Sequence, residues 1–511
     1  MKSAGYMARM DDLFNPIVVK ELRQAVKNRA VLAALLLFLL LQLGILLFIL
    51  FLGERRSVNF VNLYAGREIF EVLQGTLLGT CMLLIPIYAG VRLAAEHSDS
   101  NVDLLFISTL RPRAIIAGKF QAAVVLILLI FSTCAPFMTF TYLLRGIDIP
   151  SILLVLALDF LAVLLGTQLA IFLGAVPANW GLKVLLGLAG LVCLGLLFRF
   201  ALEISIELLN SGLGSRLDSV EFWLIAGAVV LAIVTAIGLL FAWSVAVVSP
   251  PSSNRALPVR LYVLAGLLVT GGVAALLTRR FREPISLYLW MDIVVVLLCA
   301  QVLTSINERE QWGPRVARTI PRRWWLRGPT FLLYSGAAGG VLFSILLLAL
   351  TIALPSLALG YWSDFFVHLP RFQIEFGRRN TLGMVLMALY AFDYSMTAVF
   401  LRSALLHGWV KPLFTWVIAL LLGALGFLLP FPLLFLFNNE GLRGQVSPWW
   451  YITNPFMTIY HYATEWDNAS RTSFFLGGLW FLGGWAGLAM LLCLPWMVRQ
   501  MRRFHPPERV A

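Results

Sequence analysis

Charge is what this chain has least of. Only 13% of its 511 residues are Asp, Glu, Lys or Arg, against 60% hydrophobic, and the mean hydropathy is +0.87. Soluble globular domains carry about 25% charge, so an ordinary soluble fold is excluded. Stretches of about ten residues alternating apolar with polar are also missing, which excludes an outer-membrane barrel. Cysteine is scarce: Cys81, Cys134, Cys193, Cys299 and Cys493 stand singly inside apolar runs, without C-x-x-C or Cys/His spacing. They read as small buried apolar residues, with neither a disulfide framework nor a metal centre indicated. No G-x-x-x-x-G-K-[ST] occurs, since Gly118-Lys119 lacks both the upstream glycine and the following Ser or Thr. The chain is therefore not expected to hydrolyse ATP itself. H-E-x-x-H and G-x-S-x-G are absent too, the five histidines are scattered, and no catalytic constellation or cofactor site can be read.

What is present is a succession of apolar runs, each long enough to cross a hydrocarbon core of about 30 Å. Inside lipid the backbone must satisfy its own hydrogen bonds, so such runs are helices. The first begins near Val31 and exits at "GERR" without a small-residue cleavage site, so it is expected to be a retained transmembrane helix. In order, the runs predict spans near 31–52, 72–92, 114–144, 151–176, 182–201, 221–248, 260–277, 285–304, 330–354, 382–402, 412–437 and 474–498. The expected fold is an all-α polytopic membrane protein. "SPPSSNRALP" (Ser249–Pro258) is rich in turn formers and reads as a linker. The predicted organisation is then a cytoplasmic segment 1–30, a six-span half 31–248, a linker 249–259, a six-span half 260–498 and a basic tail 499–511.

The net charge of +13 lies in short loops between spans, where basic residues report topology and do not mark a nucleic-acid surface. Placing the N-terminus inside gives the inner segments about 25 of the 39 Lys and Arg residues, so both termini are expected to be cytoplasmic. In each half the main inner loop falls between the second and third spans: "RLAAEHSDSNVDLLFISTLRPRAIIAGK" (Arg92–Lys119) and "INEREQWGPRVARTIPRRWWLRG" (Ile306–Gly328). Glu96 and Glu308 open them, and "STLRPR" is similar to "TIPRR", as a parallel repeat of six-span halves would produce.

Before the first span lies "NPIVVKELRQAVKNR" (Asn15–Arg29). Asn15 is a good N-cap and Pro16 suits the first helical position. Val19, Leu22, Val26 and Ala30 recur at helical spacing, with Lys20, Arg23 and Lys27 opposite. Together with Glu21 they make an amphipathic helix expected to lie on anionic membrane lipid and then turn into the first span.

That segment is similar to the connecting helix that opens permease subunits of ABC-2-type ATP-binding-cassette transporters. The Arg92–Lys119 loop resembles that family's loop between the second and third spans. Glu96 supplies its first acidic position, "VDLL" with Asp103, Leu104 and Leu105 its middle, and "STLR" its turn. "IIAGK", ending in Lys119, leads into the next span, with the proline moved to Pro112. In the second half the resemblance rests on "NERE", with Glu308, Arg309 and Glu310, on Arg322 and Arg323, and on the number of spans. The resemblance implies a transport subunit in a prokaryotic inner membrane, with hydrolysis on a separate ATP-binding-cassette ATPase subunit. Arg111 and Arg113 would pair with carboxylates on that partner, and a second permease chain remains an option. By the family's fold, short re-entrant helices would stand between the fifth and sixth spans of each half. "RFALEISIELLNSG" (Arg199–Gly212) and "SPWWYITNPFMTIYHYATEW" (Ser447–Trp466) are the candidates.

Two carboxylates remain. Asp159 and Asp393 lie deep in apolar runs of the fourth and tenth spans, at places that are not equivalent in the two halves. A carboxyl group at membrane depth costs about 2.5–3.5 kcal/mol on insertion scales, so each should face the bundle or a cavity. They would be substrate contacts, a proton relay in a proton-coupled secondary transporter, or protonated acids hydrogen-bonded to a neighbouring helix.

Overall fold

The computed structural model of the chain describes residues 16–53, 65–96, 111–144, 146–177, 179–210, 216–250, 252–361, 371–406, 409–432, 448–464 and 469–506. Asn15, Asp103, Leu104 and Leu105 lie outside them. No strand occurs among the described residues, and twelve helices are long and apolar enough to cross a membrane. The chain forms two compact units, Met1–Pro250 and Pro251–Ala511, the division falling inside the stretch read as a linker.

The first unit opens with α1 (Pro16–Lys27), followed by α2 (Arg29–Gly53), α3 (Ala65–Glu96), α4 (Pro112–Leu143), α5 (Ile149–Ala175), α6 (Trp180–Asn210) and α7 (Val220–Val248). The second contains α8 (Ala256–Phe281), α9 (Ile285–Ser305), the single turn α10 (Pro314–Ala317), α11 (Trp324–Leu333), α12 (Ala337–Tyr361), α13 (Arg371–Phe400), α14 (Thr415–Leu428), α15 (Pro455–Thr464) and α16 (Ala469–Arg503). Helix starts follow local chemistry. Asp148 caps α5 by accepting from the Ser151 N–H and hydroxyl at 3.3 and 2.8 Å, and Ser219 caps α7 through the Phe222 N–H at 3.3 Å. The α8–α9 connection is the tightest between spans, with Arg282 in the left-handed region at φ 56°.

The two units repeat one packing scheme. In the first, α3 packs on α2, α4, α5 and α6, α5 packs on α4, α6 and α7, and α4 also meets α7. In the second, taking spanning helices in order, α9 packs on α8, α12, α13 and α14, α13 packs on α12, α14 and α16, and α12 also meets α16. The second and fourth spanning helices thus form the centre of each unit. Lipid removes most of the hydrophobic drive between helices, so close association depends on small residues and polar pairs. On α5 the spacing Gly166-x-x-x-Ala170-x-x-x-Gly174 supplies the small residues: a Cβ at Gly174 would run into the carbonyl of Gly90 on α3.

Several expectations are corrected. The ninth span runs over Ala337–Tyr361 instead of 330–354, because 330–333 belong to α11 and the chain breaks at Tyr334–Gly336. Arg199–Asn210, read as part of a re-entrant helix, continues α6 without interruption. Its counterpart in the second unit does form a separate short element, α15. Asn454 caps it, accepting from the Met457 N–H at 3.1 Å and donating to the Phe427 carbonyl of α14 at 3.1 Å. The linker is shorter than expected, since α8 begins at Ala256. Residues 499–506 are no loose tail: α16 reaches Arg503, Gln500 accepts the Ala338 N–H at 3.1 Å, and Phe504 packs among Trp312, Phe331 and Tyr334. Cys193, read as buried, lies on an exposed face of α6.

Candidate functional site

The base of each unit is the end at which its second spanning helix terminates. In the first unit α1 lies there against α4, and a single residue, Asn28, separates it from α2. The face toward the protein is Val18, Glu21 and Ala25, while Val26 is 74% exposed. Of the predicted apolar stripe, Val19 and Leu22 are half-buried, Leu22 packing against the core of the unit, and Val26 faces outward. The fully buried side is set one residue earlier, around an acid.

Glu21 is 7% exposed and Lys119, in the second turn of α4, 6% exposed, with 2.8 Å between Oε1 and Nζ. The same ammonium lies 2.8 Å from Glu96 at the end of α3, and Arg92 Nε lies 3.0 Å from the other Glu21 oxygen. Two cations and two carboxylates cancel, which lets the cluster be buried without an uncompensated charge. The result ties α1, α3 and α4 at one point. Glu96 and Lys119, read as coupling residues, have their charges directed inward. Arg111 and Arg113, at the start of α4, are exposed, as are Lys20, Arg23 and Lys27 on α1.

In the second unit the base is organised by an arginine that sequence reasoning passed over. Arg260, one turn into α8, is 2% exposed. Its guanidinium pairs with Glu308 at 2.6 Å and donates to the carbonyls of Leu332 and Tyr334 at 2.8 and 2.5 Å. The other Glu308 oxygen accepts the Gly336 N–H at 2.6 Å. The break between α11 and α12 is thus held by one ion pair. "NERE" divides its work by position. Asn307 accepts the Trp416 N–H of α14 at 2.8 Å. Glu310 takes Arg402, in the turn after α13, and the Trp496 indole N–H of α16 at 2.8 Å. Arg309 is exposed. Burial pushes the Glu308 carboxyl above its usual range, opposed by Arg260 and the Gly336 N–H; a quarter of its side chain stays accessible, which tempers the rise. Burial, reinforced by the Arg309 charge, lowers Arg255. Outward from this base stand Arg315, Arg318, Arg322 and Arg323, followed by Trp324, 82% exposed.

The two intramembrane acids differ. Asp159 is 1% exposed and accepts from Gln74 of α3 at 2.7 Å and Ser205 of α6 at 3.1 Å. Asp393 is 0% exposed, and neither oxygen has a hydrogen-bond partner among the described residues. The counterpart of the Asp159–Gln74 pair is one the sequence reading missed: Asn380 of α13 donates to Asp292 of α9 at 2.7 Å. Each pair joins the second and fourth spanning helices, seven to ten residues after their starts, with the acid on opposite partners. The signal available was an Asp in the apolar run "LYLWMDIVVV", the same kind of signal that picked out Asp159. Among the described residues no group of three His, Cys, Asp or Glu is placed to hold a metal ion.

Comparison with family models, curated proteins and solved structures returns no match.

Proposed function

We propose that the chain is the membrane-spanning permease subunit of an ABC-2-type exporter, its two six-helix units at the cytoplasmic end receiving a separate ATPase subunit pair. The observation that carries this reading is the Glu21–Lys119–Glu96 cluster with Arg92. The Arg92–Lys119 coupling loop runs from the end of α3 into α4, and the cluster fastens both of those helices to α1. A force applied to the loop is thereby delivered to a lever lying on the membrane surface and, through Asn28, to the first spanning helix. The exposed Arg111 and Arg113 offer bidentate pairing to carboxylates of a partner, and Arg322 and Arg323 do so in the second unit. Hydrolysis belongs to the partner, and the route of substrate is outward through the helices.

Affinity purification of the tagged chain from its native membrane, with the preparation assayed for a bound P-loop ATPase and vanadate-sensitive hydrolysis, tests the proposal. An ATPase that accompanies the native chain and is lost from R111A/R113A supports it; absence of any ATPase from the native preparation overturns it. Glu96 is left intact, because its loss would loosen the cluster and confuse docking with folding.

A second reading, proton-coupled secondary transport, draws on Asp393. A buried carboxyl group with no hydrogen-bond partner has no ground-state role in holding helices together, and Asp159 would serve as the second titrating group. Transport that follows a pH gradient and vanishes in D393N would favour this reading over ATP-driven export.

A further inference from the structure

A cavity of about 220 Å³ lies within the first unit between α3, α5 and α6. Its origin is the small-residue crossing described above. Gly90 and Gly174 bring α3 and α5 into backbone contact near the base, while α6 presents Gly187 and Gly190 where side chains would otherwise fill the wedge. A Cβ at Gly187 would meet nothing within 4 Å. The lining is apolar apart from one charged group, Lys183. Val91 and Leu191, which also line it, are 63% and 44% exposed, so the cavity opens sideways onto the surface that the bilayer covers.

Lys183 sits at the base end of this cavity. Its ammonium donates to the Ala94 carbonyl at 3.0 Å, which uses one of three donors, and no carboxylate pairs with it among the described residues. Three residues earlier Trp180, 82% exposed, opens α6. An exposed tryptophan at the end of a spanning helix marks headgroup depth, and Lys183 stands within one turn of it. An apolar slot open to acyl chains, with an available cation at headgroup level, has the chemistry of one amphiphile. The volume is below the roughly 300–1,000 Å³ of pockets that enclose whole small molecules, and suits one stretch of acyl chain with its phosphate left at the mouth.

We infer that this cavity is a binding site for an anionic glycerophospholipid, one acyl chain between α3, α5 and α6 and its phosphate on Lys183. The inference stands on the first unit alone and does not depend on how transport is driven. An empty slot of this kind forfeits dispersion contacts along its walls, which a chain from the adjacent leaflet restores.

Native mass spectrometry of the full chain in detergent, titrated with phosphatidylglycerol or phosphatidylcholine of matched chain length, reads the site directly. Retention of phosphatidylglycerol is expected to exceed that of phosphatidylcholine by about five-fold, the effect of one well-placed cation, and K183Q is expected to abolish the preference. Gly187→Leu, whose Cβ meets nothing within 4 Å, should reduce retention of both lipids while leaving the melting temperature unchanged. Glycerol phosphate and inorganic phosphate should displace neither lipid. Equal retention of the two lipids by the native chain overturns the inference, as does retention unaltered by Gly187→Leu. Displacement by inorganic phosphate also overturns it, since the site would then be an anion site without a chain. If K183Q does not fold, the Gly187→Leu result and the native preference decide between the same outcomes.

Discussion

The two units pack their spanning helices in the same pairs, yet they hold their bases with opposite chemistry. In the first unit the centre is an acid, Glu21, brought by a helix from outside the bundle and clasped by Lys119 and Arg92. In the second the centre is a cation, Arg260, supplied by a spanning helix and clasped by Glu308 and two backbone carbonyls. The polar pair between second and fourth helices is exchanged in the same way, Asp159 with Gln74 in one unit and Asp292 with Asn380 in the other. Topology demands that these helix ends be joined and these contacts be satisfied. It does not demand that a particular helix carry a particular charge, so long as the charges within each cluster are paired.

The comparison can be broken most severely at Arg260. Replacing it by Met removes the donor to two carbonyls and the cation beside Glu308, leaving that carboxylate only the Gly336 N–H, a loss of about 3–5 kcal/mol. Lys119→Met should cost less, because Glu21 keeps Arg92. Thermal unfolding of the two variants in one detergent checks the order, and a larger effect at Lys119 would mean that the base of the first unit is the more critical. Next in size is Gly174→Leu, which forces α5 from the Gly90 carbonyl and costs about 1–3 kcal/mol by overpacking; Gly187→Leu on the neighbouring helix should leave the melting temperature unmoved. The exchanged pairs sharpen the comparison. Gln74→Leu and Asn380→Leu should each cost about 0.6 kcal/mol, and at most about 1.7, with similar values if the two pairs are true counterparts. The smallest effect on stability is expected from R111A/R113A and R322A/R323A, within about 0.5 kcal/mol, since these side chains point away from both clusters. Unaltered melting with lost partner binding is their expected signature.

The spans were legible because length and apolarity are demanded by the bilayer itself, and the twelve helices lie close to the runs from which they were read. What escaped was decided by interior partners. The face of α1 is set by Lys119, nearly a hundred residues away, which pulls Glu21 inward and turns Val26 outward while Leu22 stays half-buried. The ninth span was placed early because "PTFLLY" is apolar enough to belong to it; the break falls after it, where Arg260 and Glu308 capture the backbone of Leu332, Tyr334 and Gly336. Glu96, Lys119, Glu308 and Glu310 were assigned to coupling loops through the resemblance alone, and a charge in a loop beside a helix end has internal partners within reach. Asp292 carried the same signal as Asp159 and was missed for want of a rule that pairs the second with the fourth helix. Arg111, Arg113, Arg322 and Arg323 stay exposed, with no carboxylate partner among the described residues to redirect their charge.

The central claim is that both bases receive the same ATPase. Its most direct test is a photoreactive amino acid placed in turn at positions 113 and 322, irradiated in native membranes, with the adducts identified by mass spectrometry. The account predicts a P-loop ATPase subunit attached at both positions. Adducts with lipid alone at both positions, in membranes where the chain is folded and active, would contradict it.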